Sequence, residues 1–261
     1  MRDTFSNMTA LITGGSSGIG LEYARQLLDA GCSVLLVSNR EQELADAADA
    51  LGRQAVTTLY MDLASEGCAQ RLLDWCTEHK LQIDILINNA GMFFMEYLDA
   101  DSLPKARAMM NLHILTVTEL CILFGAAMKA RGKGYILNMS SMTARIPAPG
   151  IAVYSASKAY LKSFGKGFSH EMRPYGVRVT TVCPAAVDTG LYKLKPGIRR
   201  AGRRLGLIQS PGALVRRALK ALSRGRRTVS PGIMNVLLPP LIAILPNRLI
   251  DRLGMKWMQQ C

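Results

Sequence analysis

Short runs of β-branched and large apolar residues recur along the chain: TALIT (9–13), SVLLV (33–37), VTTLY (56–60), IDILIN (83–88), GYILN (134–138) and VRVTTVC (177–183), with RTVS (227–230) as a weaker seventh. Most are separated by segments long enough for a helix. Near-continuous apolar runs mark strands buried on both faces, and their alternation with helices predicts a parallel sheet wound on both sides. No repeat, low-complexity segment or linker breaks the series, so residues 1–261 read as a single α/β domain with a doubly wound, seven-stranded parallel sheet.

The pattern changes after residue 230. IMNVLLPPLIAILPNRLIDRLGMKWM is apolar, but Asn235 and the pair Pro239 and Pro240 interrupt it, and it falls short of the roughly 18 apolar residues of a spanning helix. Residues 231–261 therefore read as a basic apolar C-terminal extension. Two placements are open to it: a cover over a pocket or subunit interface, or a segment lying on a membrane surface with Trp257 and the aliphatic residues among Arg248, Arg252 and Lys256.

The first strand runs directly into a glycine loop and a helix, TALITGGSSGIGLEYARQLLDAG. Gly14, Gly18 and Gly20 permit a tight turn and bring backbone N–H groups to a pyrophosphate at the positive end of the helix. At the end of the second strand Ser38 stands where a carboxylate would bind the ribose 2′-hydroxyl of NAD, and Asn39 and Arg40 follow. A small polar residue beside a guanidinium suits a 2′-phosphate, so NADP(H) is preferred and NAD(H) is the alternative. Asp62, after the third strand, is either an acceptor for the adenine amino group or a helix cap.

Tyr154 and Lys158 lie four residues apart in VYSASKAY and so share one helix face. A cation beside a phenol favours the phenolate, and the pair forms a general acid/base. Ser141, at the end of the fifth strand, is placed to hydrogen-bond a carbonyl oxygen, with Ser140 as its competitor. Asn111 falls inside the long helix after the fourth strand, where asparagine is an indifferent helix former; holding a water that relays protons through Lys158 gives it a reason.

Composition narrows the classes. Hydrophobic residues make up 49% and charged residues 20%, a globular balance. Six cysteines show no CxxC pair and only three histidines accompany them, so a reduced chain without a metal site is expected. The first residues lack an apolar stretch of signal-peptide length, which points to a cytoplasmic protein, either free or peripheral at a membrane surface. The net charge of +13 favours anionic partners, but no nucleic-acid-binding pattern accompanies the basic clusters, and no nucleic acid is expected.

TGGSSGIG (13–20), NNAG (88–91), Asn111, Ser141, YSASK (154–158) and CPAAVDTG (183–190) follow one another in an order that resembles the short-chain dehydrogenase/reductase family, from residue 9 to about 190. The resemblance implies a Rossmann-type fold and hydride exchange between a nicotinamide and a carbonyl or alcohol carbon. It implies Tyr154 as proton donor, Ser141 as polariser of the carbonyl, Lys158 on the ribose and beside the phenol, and Asn111 in the proton relay. Around the cofactor it implies Gly14, Ser16, Ser17, Gly18, Ile19, Gly20, Ser38, Asn39, Arg40, Asp62 and Leu63. It adds Asn88, Asn89, Ala90 and Gly91 on the ribose side and Pro184, Val187 and Thr189 by the carboxamide. It also implies a homodimer through the helices of Asn111 and Tyr154, or a homotetramer. Ala185 departs from the family's usual glycine.

Residues 190–212 correspond to the family's substrate lid, and six cations from 193 to 204 suit an acidic ligand such as acyl-CoA, an acyl carrier protein or an anionic lipid surface. Arg131 and Arg173 match arginines of some carrier-protein reductases. Met92, Phe93, Phe94, Met95, Met142, Ile146 and Ile151 flank the expected site, either as core or as an apolar substrate wall. The expected activity is reduction of a hydrophobic ketone or 3-oxoacyl thioester. A lipid-alcohol dehydrogenase working in the oxidising direction and a non-catalytic nucleotide- or membrane-binding protein are the alternatives.

Overall fold

The computed structural model describes residues 2–146, 148–189 and 207–243, with single positions at 197, 200, 202, 245, 246, 248 and 249. Strands form at all seven apolar runs: β1 Thr9–Thr13, β2 Ser33–Ser38, β3 Val56–Tyr60, β4 Ile85–Asn88, β5 Gly134–Met139, β6 Val177–Val182 and β7 Thr228–Val229. They build one sheet in the order β3-β2-β1-β4-β5-β6-β7, every pair parallel.

Both faces of the central strands are apolar, and successive residues serve opposite cores. Ala10 and Ile12 of β1, Val34 and Leu36 of β2, and Ile85 and Ile87 of β4 join one cluster. Leu11, Leu35 and Leu86 between them join the other. The first cluster is covered by α2 (Gly18–Asp29), α3 (Glu41–Leu51) and α8 (Pro211–Ser223), through Leu27, Leu44 and Leu219. The second is covered by α4 (Cys68–Glu78), α6 (Thr116–Ala130) and α7 (Ala152–Met172), through Leu72, Phe124 and Leu161. The short α1 (Arg2–Phe5) tucks Phe5 against Tyr135, ring centroids 5.1 Å apart.

Strand order reverses between β1 and β4, so the two halves wind in opposite directions and leave a crevice beyond the carboxyl ends of the strands. The expected long helix after β4 forms as α5 (Leu103–Met110), a π-helical turn at Asn111–Leu115, and α6. In that turn the Thr116 N–H reaches back to the Asn111 carbonyl, one residue further than in an α-helix.

The C-terminal segment forms α9 (Met234–Ala243). Asn235 Nδ2 ties it to the carbonyls of Cys183 and Pro231, at 3.0 and 2.8 Å, beside the end of β6. Ile233, Val236, Leu237 and Leu241 face outward. Residues 250–261, with Arg252, Lys256 and Trp257, lie outside the described residues. So do all but three positions of 190–206. At the far end of the expected lid, Ser210 Oγ accepts from the Ala213 N–H and Pro211 opens α8, so 210–212 form a helix start.

Candidate active site

The crevice is a cleft of about 870 Å³ that runs from Arg40 past the glycine loop to Ser141 and Tyr154. Gly14 has φ +63°, and a Cβ there would stand 2.9 Å from Ala90 Cα. Gly18 opens α2 at φ +56°. Gly20 lies behind the cleft: its missing Cβ lets α2 close on the Gly14 carbonyl, which a Cβ would meet at 2.0 Å. Asn89 locks the loop to β4, its Nδ2 donating to the Thr13 and Gly14 carbonyls at 3.0 and 3.1 Å. The Thr13 hydroxyl accepts from the backbone N–H groups of Asn89 and Ala90, both at 3.0 Å. A glycine turn against a helix N-terminus, cleared of side chains, suits the pyrophosphate of a dinucleotide.

The lining at the Arg40 end includes Ser16, Ser17, Ile19, Ser38, Asn39, Asp62 and Leu63. Ser16 Oγ lies 3.0 Å from Ser38 Oγ. Asp62 lines the cleft, as the cofactor reading expects, but it is not a helix cap: Oδ1 accepts from the Ala64 N–H at 3.0 Å in a turn, and the next helix begins only at Cys68 with Gly67 as its N-cap. Asn88, placed by the sequence on the ribose side, instead points into the sheet and donates to Asn138 Oδ1 at 2.8 Å. β4 alternates, so Asn88 and Asn89 cannot both face the cleft.

Tyr154, Lys158, Ser140 and Ser141 meet at the other end. Helix α7 carries the first two on its buried face, with Lys158 Nζ 5.6 Å from the centre of the Tyr154 ring. Lys158 Nζ donates to the Met139 carbonyl at 3.1 Å. Burial pulls its pKa down from 10.5 to about 8. The two serines divide roles. Ser140 Oγ donates to the Lys158 carbonyl at 2.7 Å and so fastens α7 to β5. Ser141 Oγ accepts from the Thr143 N–H at 3.2 Å, which leaves its own hydroxyl proton to give.

Asn111 stands beside the cleft, outside the residues that line it. Its Nδ2 donates to the Ala64 carbonyl at 3.4 Å and its carbonyl accepts from Thr116. The neighbouring His113 is fully buried and went unnoticed in the sequence. Its Nε2 accepts from the Met92 N–H at 3.1 Å, which places the proton on Nδ1, 3.0 Å from Ser157 Oγ; that hydroxyl donates to the Tyr154 carbonyl. Burial first, and then the Lys158 charge, hold its pKa well below 6.5. A neutral imidazole thus joins the loop after β4 to α7. Glu43 was also missed, and it lines the Arg40 end. The only sequence sign of it was an acid in the first turn of a helix.

Beyond Tyr154 lies an apolar cluster, of which Met92 and Phe93 line the cleft. Met109 and Ile151 pack with Tyr154, and Met92, Phe93, Phe94 and Met95 lean on them half-buried, Phe93 edge-on to Tyr154 at 5.0 Å. Pro184, Ala185, Val187 and Thr189 line the side formed by the loop after β6. Ala185 does not adopt a positive φ, so the departure from glycine costs that turn nothing. Arg131 is engaged away from the cleft, donating to the Ile83 carbonyl at 2.7 Å and standing 3.8 Å from Asp84.

Residues 8–196 match the short chain dehydrogenase family. The very-long-chain 3-oxoacyl-CoA reductase of Homo sapiens is 31% identical over 248 residues, 91% of this chain and 75% of that protein. A putative betaketoacyl-ACP reductase of known structure is 28% identical, with a TM-score of 0.73 over 87% of this chain and 96% of its own. A gluconate 5-dehydrogenase from Burkholderia cenocepacia, crystallised with NADP and tartrate, is 25% identical, with a TM-score of 0.78 over 90% and 98%.

Proposed function

Since the chain belongs to the short-chain dehydrogenase/reductase family, whose members are NAD(P)(H)-dependent oxidoreductases acting on CH–OH groups, we propose that it reduces the ketone of a hydrophobic 3-oxoacyl thioester with NADPH. The observation that carries this reading is the apolar cluster of Met92, Phe93, Phe94, Met95, Met109 and Ile151 packed against Tyr154, of which Met92 and Phe93 line the cleft. A polar sugar would leave its hydroxyls unpaired there, whereas an acyl chain loses only water. The resemblance to 3-oxoacyl reductases supports the same class.

Gly14, Gly18 and the α2 N-terminus would hold the pyrophosphate, and Ser38 and Arg40 a 2′-phosphate. The bound nicotinamide supplies the hydride. Ser141 donates a hydrogen bond to the carbonyl oxygen and keeps its proton, and Tyr154 delivers the one proton to that oxygen as charge develops on it. Lys158, still charged at neutral pH with a pKa of about 8, offsets the charge left on the phenol and has N–H groups to spare for a ribose hydroxyl. Asn111 has a place in the proton relay through its carbonyl or side chain. A cytoplasmic chain working at a lipid surface, with the outward aliphatic residues of α9 toward it, goes with such a substrate.

The test is NADPH oxidation with 3-oxoacyl-CoA esters of increasing chain length, against short ketones and sugars. We expect kcat/KM to rise with chain length, and Tyr154→Phe to lose about a hundredfold or more in kcat while still binding NADPH. Turnover of sugars but not thioesters would overturn the substrate class. Full activity in Tyr154→Phe would overturn the mechanism.

A further inference from the structure

β2 delivers Ser38, Asn39 and Arg40 to the cleft, and α3 begins at once behind them with Glu41 and Glu43 in its first turn. Acids are favoured at that position by the helix dipole, but Glu43 does more than face solvent. Its Oε1 accepts from Arg40 Nη1 at 2.7 Å, and its Oε2 accepts from Ser16 Oγ at 3.2 Å. Ser16 in turn touches Ser38 at 3.0 Å, and all four side chains line the cleft. The Arg40 guanidinium foremost, with help from the serine hydroxyls, holds the Glu43 carboxyl below the usual carboxylate range. A carboxylate thus already engages one N–H of Arg40 and the Ser16 hydroxyl, at the place where a 2′-phosphate would bind.

We propose that Glu43 sets the dinucleotide preference of this chain, its carboxylate competing with the 2′-phosphate of NADP(H) for Arg40 and Ser16. The inference rests on the reading of the cleft as a dinucleotide site. A 2′-phosphate that took Arg40 Nη1 and Ser16 Oγ would compete with the carboxylate for both, and two anions side by side there repel. On this proposal NADP(H) binds against the repulsion of Glu43 and at the expense of its contacts with Arg40 and Ser16. NAD(H) lacks the 2′-phosphate and leaves the Glu43–Arg40 pair in place, with the carboxylate able to accept from the ribose 2′-hydroxyl.

The experiment measures direct binding of adenosine 2′,5′-bisphosphate and 5′-AMP by calorimetry, and of NADPH and NADH by fluorescence, in wild type, Glu43→Gln, Glu43→Ala and Arg40→Ala. Melting temperatures check that each variant is folded. Both Glu43 variants are expected to bind the bisphosphate and NADPH about tenfold or more tightly, with 5′-AMP and NADH changed by less than about threefold. Arg40→Ala should weaken the bisphosphate and NADPH alone. If nucleotides bind but the NADPH-to-NADH ratio of the Glu43 variants stays within about threefold of wild type, the role of Glu43 is refuted and the dinucleotide site stands. Weaker NADPH binding in those variants refutes it too, because Glu43 would then be orienting Arg40. Failure of wild type to bind any of the four ligands removes the site itself.

Discussion

Burying an ammonium group whose one acceptor among the described residues is the Met139 carbonyl destabilises the fold. Lys158 titrates near 8 inside the fold and near 10.5 when exposed, so at neutral pH its burial costs about 3 kcal/mol. Below pH 8 both states carry the proton and the cost is complete. As pH rises from 8 to 10.5 the native state releases its proton while the unfolded chain keeps it, and stability climbs. Lys158→Met keeps the length of the side chain and removes the charge. It should therefore unfold at higher urea than wild type at pH 7, with the gap closing toward pH 10, and should lose turnover at every pH. A gap that does not depend on pH would falsify this account. The residue at fault for the instability is the one the chemistry needs, and its partners explain what the sequence could and could not show. Tyr154, Lys158 and Ser141 were legible because their spacing is local: four residues on one helix, and a strand end. His113 and Glu43 act through contacts with Met92 and Ser157, and with Ser16, that join distant parts of the chain.

Helix α7 must lie close on β6 to hold Tyr154 and Lys158 at the cleft, and one glycine sets that distance. A Cβ on Gly165 would meet Thr181 Oγ1 at 2.0 Å. Gly165→Ala should therefore push α7 outward and destabilise the protein by about 1–3 kcal/mol, despite the better helix propensity of alanine. Thr181 Oγ1 is buried without a hydrogen-bond partner among the described residues, so removing it costs little. Thr181→Ala should restore much of the lost stability in the Gly165→Ala background. Simple additivity of the two effects in thermal unfolding would count against the packing argument. The central strands were readable, since apolar runs on both faces of a parallel sheet leave a plain trace, and β1 begins and ends where its run does; the exposed edge strand β3 was read instead from its β-branched residues. The π-helical turn at Asn111–Leu115 left no such trace, because it arises from one backbone step inside an otherwise apolar helix. The side of the chain that Asn88 faces was misjudged for a different reason: two consecutive asparagines give no hint of which one the pleat turns inward.

At the scale of the whole molecule, the long segment Leu103–Ala130 contains an 18-residue stretch apolar enough, at a mean hydropathy of 1.5, to resemble a membrane span, and 44% of that stretch is buried. Its inner face, with Val117, Leu120 and Phe124, belongs to the core. Its outer face leaves Leu115 and Ile122 each 54% exposed. Alongside it, α7 shows Ala152, Ala156, Ser163 and Gly167 to solvent around Tyr160, whose hydroxyl lies 2.9 Å from Thr118 Oγ1. Small exposed residues on one helix beside exposed aliphatic ones on the next, with Glu119 among them, would suit a second copy of the chain, the dimer that the family resemblance implies. Light scattering behind gel filtration should then give twice the 28.5 kDa of the chain, and Ile122→Arg should give one chain with a lower melting temperature. A wild-type monomer at micromolar concentration, or a variant that still dimerises, would rule this face out. Because α7 carries Tyr154 and Lys158 on its inner side and Tyr160 on its outer, the monomeric variant should also lose turnover in proportion to the stability it loses, with KM for NADPH rising as the Lys158 end of the cleft loosens.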